Sequence, residues 1–140
     1  MSVHNKTALR RLFEEGWNLG HMDVVNAILA PDFVGHFLPP GVPAGPEGFC
    51  LYIAGFRTAF PDLHMQIDDM IAEGDTVAIR ITFRGTHTGP LMHIPPTNNE
   101  VTLGAMIIAR FDENGHYVEG WGEHDKLSLM QQLDVIPAYS

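Results

Sequence analysis

Three neighbouring side chains near the end of the chain have the types and spacing that proton transfer requires. His124 follows Glu123 and precedes Asp125, at the end of a segment that alternates as a strand from Tyr117. An imidazole changes charge near neutral pH, and a carboxylate does so once an apolar surrounding raises its pKa. We therefore predict His124 and Glu123 as candidate catalytic residues. Asp125 directly precedes a short predicted helix and is expected to cap it.

His36 is the third candidate catalytic residue. It lies in a short apolar segment, residues 33–38, which predicts a strand near the mouth of a pocket. A histidine held by structural hydrogen bonds fits the same pattern, so both interpretations stay open.

The remaining candidate site residues would bind a substrate. Aromatic side chains at helical spacing pack into cores more often than against ligands, so only some are expected to face a cavity. Arg80 also fits an ion pair on a sheet face, and His87 also fits a structural role in its loop. The predicted substrate-binding residues are Trp17, Phe56, Phe60, Arg80, His87, Met92, Met106 and Trp121.

A metal site is not expected. The 8 histidines include no pair at the i, i+4 helix spacing or the i, i+2 strand spacing that metal ligands favour. The single cysteine, Cys50, allows neither an intrachain disulfide nor a zinc site built from several thiolates.

Length and charge narrow the classes of function. A chain of 140 residues predicts one domain, 1–140. The net charge of -9 and the scattered basic residues argue against nucleic acid and anionic membranes as partners. No hydrophobic signal core begins the chain, and no apolar run approaches the ~18 residues of a membrane span. We therefore expect a cytoplasmic protein that binds a small molecule.

The elements that must position these residues are three helices followed by a meander of strands. Amphipathic helices are predicted over residues 9–17, 23–29 and 46–60, and Pro31 is expected to close the second. Helices grouped before strands predict an α+β fold with the helices on one face of the sheet. Strand 101–111 is apolar on both faces, so its outer face predicts a homodimer or homotetramer.

Four landmarks follow one another along the chain. They are Asn-Leu-Gly-His-Met-Asp at 18–23, Pro-Asp-Phe at 31–33, Gly-Thr-His-Thr-Gly with Pro-Pro-Thr between 85 and 97, and Glu-Gly-Trp-Gly-Glu-His-Asp at 119–125. In this order they resemble the SnoaL-like polyketide cyclase family of the nuclear transport factor two-like superfamily. The resemblance implies a cone-shaped fold, with three N-terminal helices packed on a curved, mainly antiparallel sheet around one pocket.

The resemblance also implies an activity. SnoaL-like enzymes use acid/base chemistry without a cofactor, so cyclisation, isomerisation or ring opening of a small apolar oxygenated metabolite, such as a polyketide, is expected. The family's base lies three residues before the last aspartate of the closing motif, where this chain has Gly122. The two family histidines of the pocket correspond to Gly120 and Ile107.

A looser resemblance to limonene-type epoxide hydrolases favours different residues. It implies Glu123 as the pocket carboxylate with Arg80 near it, whereas Thr82 stands at the position of a second aspartate. The cyclase resemblance makes the even-numbered face of strand 117–125 the pocket wall, and the hydrolase resemblance makes it the odd-numbered face. A β-bulge beside the glycines would reconcile the two, so both stay open.

Functions of different classes remain open from the sequence. The polar residues His36, Glu123 and His124 favour an enzyme. Glycines at the family's acid/base positions favour a non-catalytic binder, a carrier or sensor that uses the same pocket. A structural assembly domain with a filled pocket is the third interpretation.

Overall fold

The fold is described from a computed structural model that covers residues 2–137. Residue 1 and residues 138–140, at the ends of the predicted 1–140 domain, lie outside the described residues. The elements in chain order are α1 (Ser2–Arg11), continued by a π-helical segment (Leu12–Trp17), α2 (Met22–Ile28), β1 (Leu29–Gly35), α3 (Pro46–Ala59), β2 (His64–Glu73), β3 (Thr76–Thr86), β4 (Glu100–Phe111), β5 (Tyr117–His124) and α4 (Lys126–Gln132).

The five strands form one curved sheet in the order β1-β5-β4-β3-β2. Three of the pairings are antiparallel, and β1 alone runs parallel to its neighbour β5. The helices pack on one face of this sheet, so the predicted α+β class is confirmed.

The inner face of the sheet and the helices enclose the hydrophobic core. On β3, Val77, Ile79, Ile81 and Phe83 are buried, whereas Arg80 and Arg84 between them are exposed. This is the alternation expected of a strand with one covered face. Strand β4 alternates too, and its outward side chains Met106 and Ile108 remain exposed in the single chain.

The beginning of the sheet differs from the prediction. Helix α2 ends at Ile28 and β1 starts at Leu29, so Pro31 lies inside a strand rather than after a helix. Pro31 is tolerated there because β1 is an edge strand. On the side that has no neighbouring strand, the missing N–H costs no sheet hydrogen bond. The predicted strand 33–38 therefore begins earlier, and β1 ends at Gly35.

Candidate active site

A β-bulge in β5 decides which side chains face the helices. Arg110 of β4 lies opposite Glu119, but the next residue, Phe111, lies opposite Tyr117. Val118 is therefore the additional residue of the bulge. A bulge of this kind changes the direction in which the following side chains point.

Because of the bulge, Tyr117 lies on the same face of β5 as the even-numbered residues that follow it. Tyr117 is buried, as is Gly120, while Gly122 and His124 line an internal cavity. The intervening residues of β5 point outwards, as the exposure of Trp121 shows. The inner face of β5 thus consists of Tyr117, Gly120, Gly122 and His124.

The cavity lies between this face and the helices. Its volume is about 70 Å³, several times the ~10–15 Å³ that one water molecule requires on the same measure. That volume suits a compact molecule of one or two rings. Its wall is formed by Phe13, Trp17, Phe37, Phe49, Tyr52, Phe56, Met65, Ile81, Phe83, Leu103, Ala105, Ile107, Tyr117, Gly122, Glu123, His124 and Leu129.

His124 is the one histidine in this wall. It ends β5 opposite Ala105, and its ring stands perpendicular to that of Phe56 with the ring centroids 6.4 Å apart. Burial lowers the pKa of His124, and the charge of Lys126 lowers it further against the opposing effect of Glu123. The imidazole is therefore neutral at pH 7 and able to accept a proton.

Three residues that carry hydrogen-bond donors line the cavity together with this base. Burial raises the pKa of both Tyr52 and Tyr117, so their hydroxyls keep their protons. The indole Nε1 of Trp17 is buried and has no hydrogen-bond partner among the described residues. An unpaired buried donor costs about 1–3 kcal/mol, which an acceptor atom of a ligand would offset.

The structure brings some of the predicted site residues together at the cavity. Trp17 and Phe56 line it beside His124, and their rings lie 6.0 Å apart. Glu123 borders the cavity, but its side chain is exposed on the other face of β5. Phe60 lies behind the wall, with its ring 5.1 Å from that of Phe83.

His36 lies on the outer face of the sheet rather than at the cavity. Its Nε2 is 2.7 Å from Oε2 of Glu119, and its ring stacks on Trp121 with centroids 5.1 Å apart. Arg110 binds the other oxygen of Glu119 at 3.0 Å. The parallel pairing of β1 with β5 is the reason, because the backbone of His36 continues that ladder at Gly120.

Four further predicted substrate-binding residues also lie away from the cavity wall. Arg80 forms an outer-face ion pair with Asp69, with 2.7 Å between Nε and Oδ2. Met106 and Trp121 are exposed on the same face, and Met92 is exposed in the loop before β4. Strand alternation explains the first three, since neighbouring positions on β3, β4 and β5 face the core.

His87 is fully buried in the loop that follows β3. Its Nδ1 accepts a hydrogen bond from the backbone N–H of Thr97 at 3.2 Å, and its ring lies 5.4 Å from that of Phe60. Since Nδ1 is the acceptor, the neutral ring carries its proton on Nε2, which has no partner among residues 2–137. His87 therefore stabilises the loop through this hydrogen bond and does not line the cavity.

Tyr52, Tyr117 and Phe37 are cavity residues that the sequence analysis did not select. The signal for Tyr52 was its place in the apolar stripe of α3, because a buried tyrosine hydroxyl requires a polar partner. Tyr117 gave no comparable signal, because the bulge at Val118 reverses the face expected from simple alternation.

Other kinds of site were also considered for the described residues. No three His, Cys, Asp or Glu side chains in residues 2–137 are grouped so as to hold a metal ion. In the same part of the chain, no helix has the length and apolar character needed to cross a bilayer.

Known proteins share this fold and part of this sequence. The profile of the SnoaL-like polyketide cyclase family matches residues 7–133. TsrD from Streptomyces laurentii is 26% identical, with a TM-score of 0.89 over 97% of this chain and 98% of its own. A Bacillus cereus protein named as a polyketide cyclase is 29% identical, with a TM-score of 0.82 over 95% of this chain and 82% of its own.

IdmH from Streptomyces antibioticus, also named as a polyketide cyclase, is 29% identical, with a TM-score of 0.80 over 93% of this chain and 98% of its own. No curated protein has a sequence significantly similar to this chain.

Proposed function

Because the chain belongs to the SnoaL-like polyketide cyclase family, we propose that it is a cofactor-independent enzyme that moves protons on a small apolar oxygenated molecule, such as a polyketide. His124 is the general base. The observation that supports this role is a neutral imidazole in the wall of a cavity whose other side chains are almost all apolar or aromatic. Such a base loses little of its reactivity to hydration.

The reaction starts at a C–H next to a carbonyl group. His124 takes the proton, and the electron pair of the C–H bond moves to the carbonyl oxygen to give an enolate. The enolate carbon then either takes a proton back at another position, which is isomerisation, or attacks a second carbonyl, which closes a ring. In ring closure the new alkoxide receives the proton from His124, so no external acid or oxidant is consumed.

The donors of the cavity stabilise the negative oxygen. Tyr52 and Trp17 lie on the helix side, with their rings 5.8 Å apart, and Tyr52 is 5.2 Å from Phe56, which contacts His124. Hydrogen bonds to developing charge are worth most in a site that excludes water. Glu123 and His36 are weaker candidates for the base because their side chains lie on the outer face.

A non-catalytic binder is the second candidate. It is favoured by Gly120 and Gly122, which leave His124 as the one group in the cavity wall that titrates near neutral pH. A binder and an enzyme would hold the same molecule, so only a measurement of proton transfer separates them.

The test follows the exchange of hydrogen for deuterium at the carbon atoms next to the carbonyl of 2-tetralone, by NMR in D₂O. We expect the protein to accelerate this exchange and His124→Ala to lose about 100-fold or more of the acceleration. Glu123→Gln is the matched control and should lose much less. Added imidazole should restore part of the activity of His124→Ala, because the substitution leaves space of that shape.

Each other outcome contradicts a specific part of the proposal. Acceleration that survives His124→Ala but not Glu123→Gln would make the outer face of β5 the reactive one. Binding of 2-tetralone without any acceleration would support the binder.

A further inference from the structure

Tyr117 and Gly120 form a donor site within β5 that proton abstraction by His124 does not use. The bulge at Val118 places both on the inner face of the strand. The hydroxyl of Tyr117 lies where a Cβ at position 120 would be, so any side chain there would displace it. Phe37 closes the same space, with Cε2 3.1 Å from that Cβ position.

The ring of Tyr117 has one orientation. Phe33 contacts it edge to face with centroids 4.8 Å apart, and Phe111 stacks on it with centroids 5.5 Å apart. Tyr117 is 1% exposed and still lines the cavity. Since Tyr117 lines the cavity and its hydroxyl covers Gly120 on the inner face of β5, the hydroxyl lies on the cavity side of the strand.

The hydroxyl and the base lie at opposite ends of the inner face of β5. Position 120, which the hydroxyl covers, and His124 are four residues apart, which is about 13 Å of extended strand. The oxygen of a carbonyl and the carbon next to it are far closer together than that. This spacing favours a second oxygen of the substrate, rather than the reacting carbonyl, as the partner of Tyr117.

We propose that Tyr117 donates a hydrogen bond to a second oxygen of the substrate, remote from the reacting carbon, and that Gly120 is glycine to make room for this hydroxyl. This rests on the proposed function of His124. The substrate is then a compact molecule with oxygen functions at both ends, and its remote oxygen fixes which C–H meets the base. Burial keeps the hydroxyl protonated, so it acts as a donor to a ketone or phenol oxygen.

The experiment is a double-mutant cycle between protein and probe. Dissociation constants of 2-tetralone and 6-hydroxy-2-tetralone are measured by calorimetry for the wild type and for Tyr117→Phe, which keeps the clamped ring. We expect the added hydroxyl to strengthen binding about 3- to 10-fold in the wild type and to give no advantage in Tyr117→Phe. Tyr52→Phe is the matched control and should keep the advantage.

A second variant keeps the tyrosine and moves its hydroxyl. Gly120→Ala should lose the same advantage, and thermal unfolding of each variant verifies that it folds. An unchanged advantage in Tyr117→Phe, its loss in Tyr52→Phe instead, or failure of the wild type to bind either tetralone would overturn the proposal. The cycle measures binding alone, so a cycle with the expected result beside a failed exchange assay identifies the proposed function of His124, and not the hydrogen bond of Tyr117, as the part that failed.

Discussion

An apolar row across the outer face of the sheet predicts that the protein assembles. Ile71 pairs with Ala78, Ala78 with Ile108, and Ile108 with Trp121, so the row crosses four strands. Ile71 is 69% exposed, Ile108 48% and Trp121 41%, and Met106 beside them is 63% exposed. We expect a homodimer in which two copies of this row face each other.

Ile108→Lys places a charge at the centre of the row. Complete burial of a large apolar side chain is worth about 1.5–3 kcal/mol, so covering the exposed half of Ile108 is worth about 1 kcal/mol per copy. Two copies lose about 2 kcal/mol together, and two amines enclosed without partners add several more. A total of at least about 4 kcal/mol corresponds to a roughly 1,000-fold weaker dimer.

The mass of the protein is measured by light scattering as it elutes from a size-exclusion column at about 10 µM. The wild type should have the mass of a dimer or a larger symmetric oligomer, and Ile108→Lys should shift it to the monomer. Val3→Lys is the control, because Val3 is 78% exposed on α1 and far from the row. A monomeric wild type, or an Ile108→Lys variant that stays assembled, would show that the exposed row is not the interface.

Two further predictions concern metal and acid. Dialysis against a strong chelator should change neither the melting temperature nor the binding of 2-tetralone, whereas a fall of several degrees that zinc reverses would show a bound metal. Burial lowers the pKa of His87 in the folded protein, so the imidazole binds a proton more tightly in the unfolded chain. The stability due to neutral His87 is therefore complete above the unfolded pKa of about 6.5 and is lost as the pH falls below it. Urea unfolding should therefore show a larger loss of stability between about pH 7.5 and about pH 5 for the wild type than for His87→Gln, and equal losses would contradict the assigned role of burial.

The order and types of the elements were predictable because their signals are local. The alternation of Val77, Ile79, Ile81 and Phe83 against Arg80 follows from the period of a strand with one buried face. The strand through Pro31 was not predictable, since only the pairing of β1 at the sheet edge makes a proline tolerable there.

The sequence analysis selected His124 and Trp17 of the cavity wall but not Tyr52 or Tyr117. His124 was selected by residue type, and the even-numbered face of its strand was one of two alternatives. Tyr117 depended on the bulge at Val118, a register shift between two strands that leaves no trace in the periodicity of one. His36 and Trp121 were assigned to the pocket by type, whereas their pairing across parallel strands directs both outwards.

The pH dependence of 2-tetralone exchange shows whether a neutral His124 in the apolar cavity is the base. Because its folded pKa is lowered, the active form predominates above a midpoint that lies below the ordinary value of about 6.5. We expect the catalysed rate, corrected for the uncatalysed exchange, to rise through one ionisation with its midpoint below pH 6.5 and to level off toward about pH 8. A midpoint above pH 6.5, or a catalysed rate that shows no ionisation below pH 6.5, would contradict the role of His124 as the base.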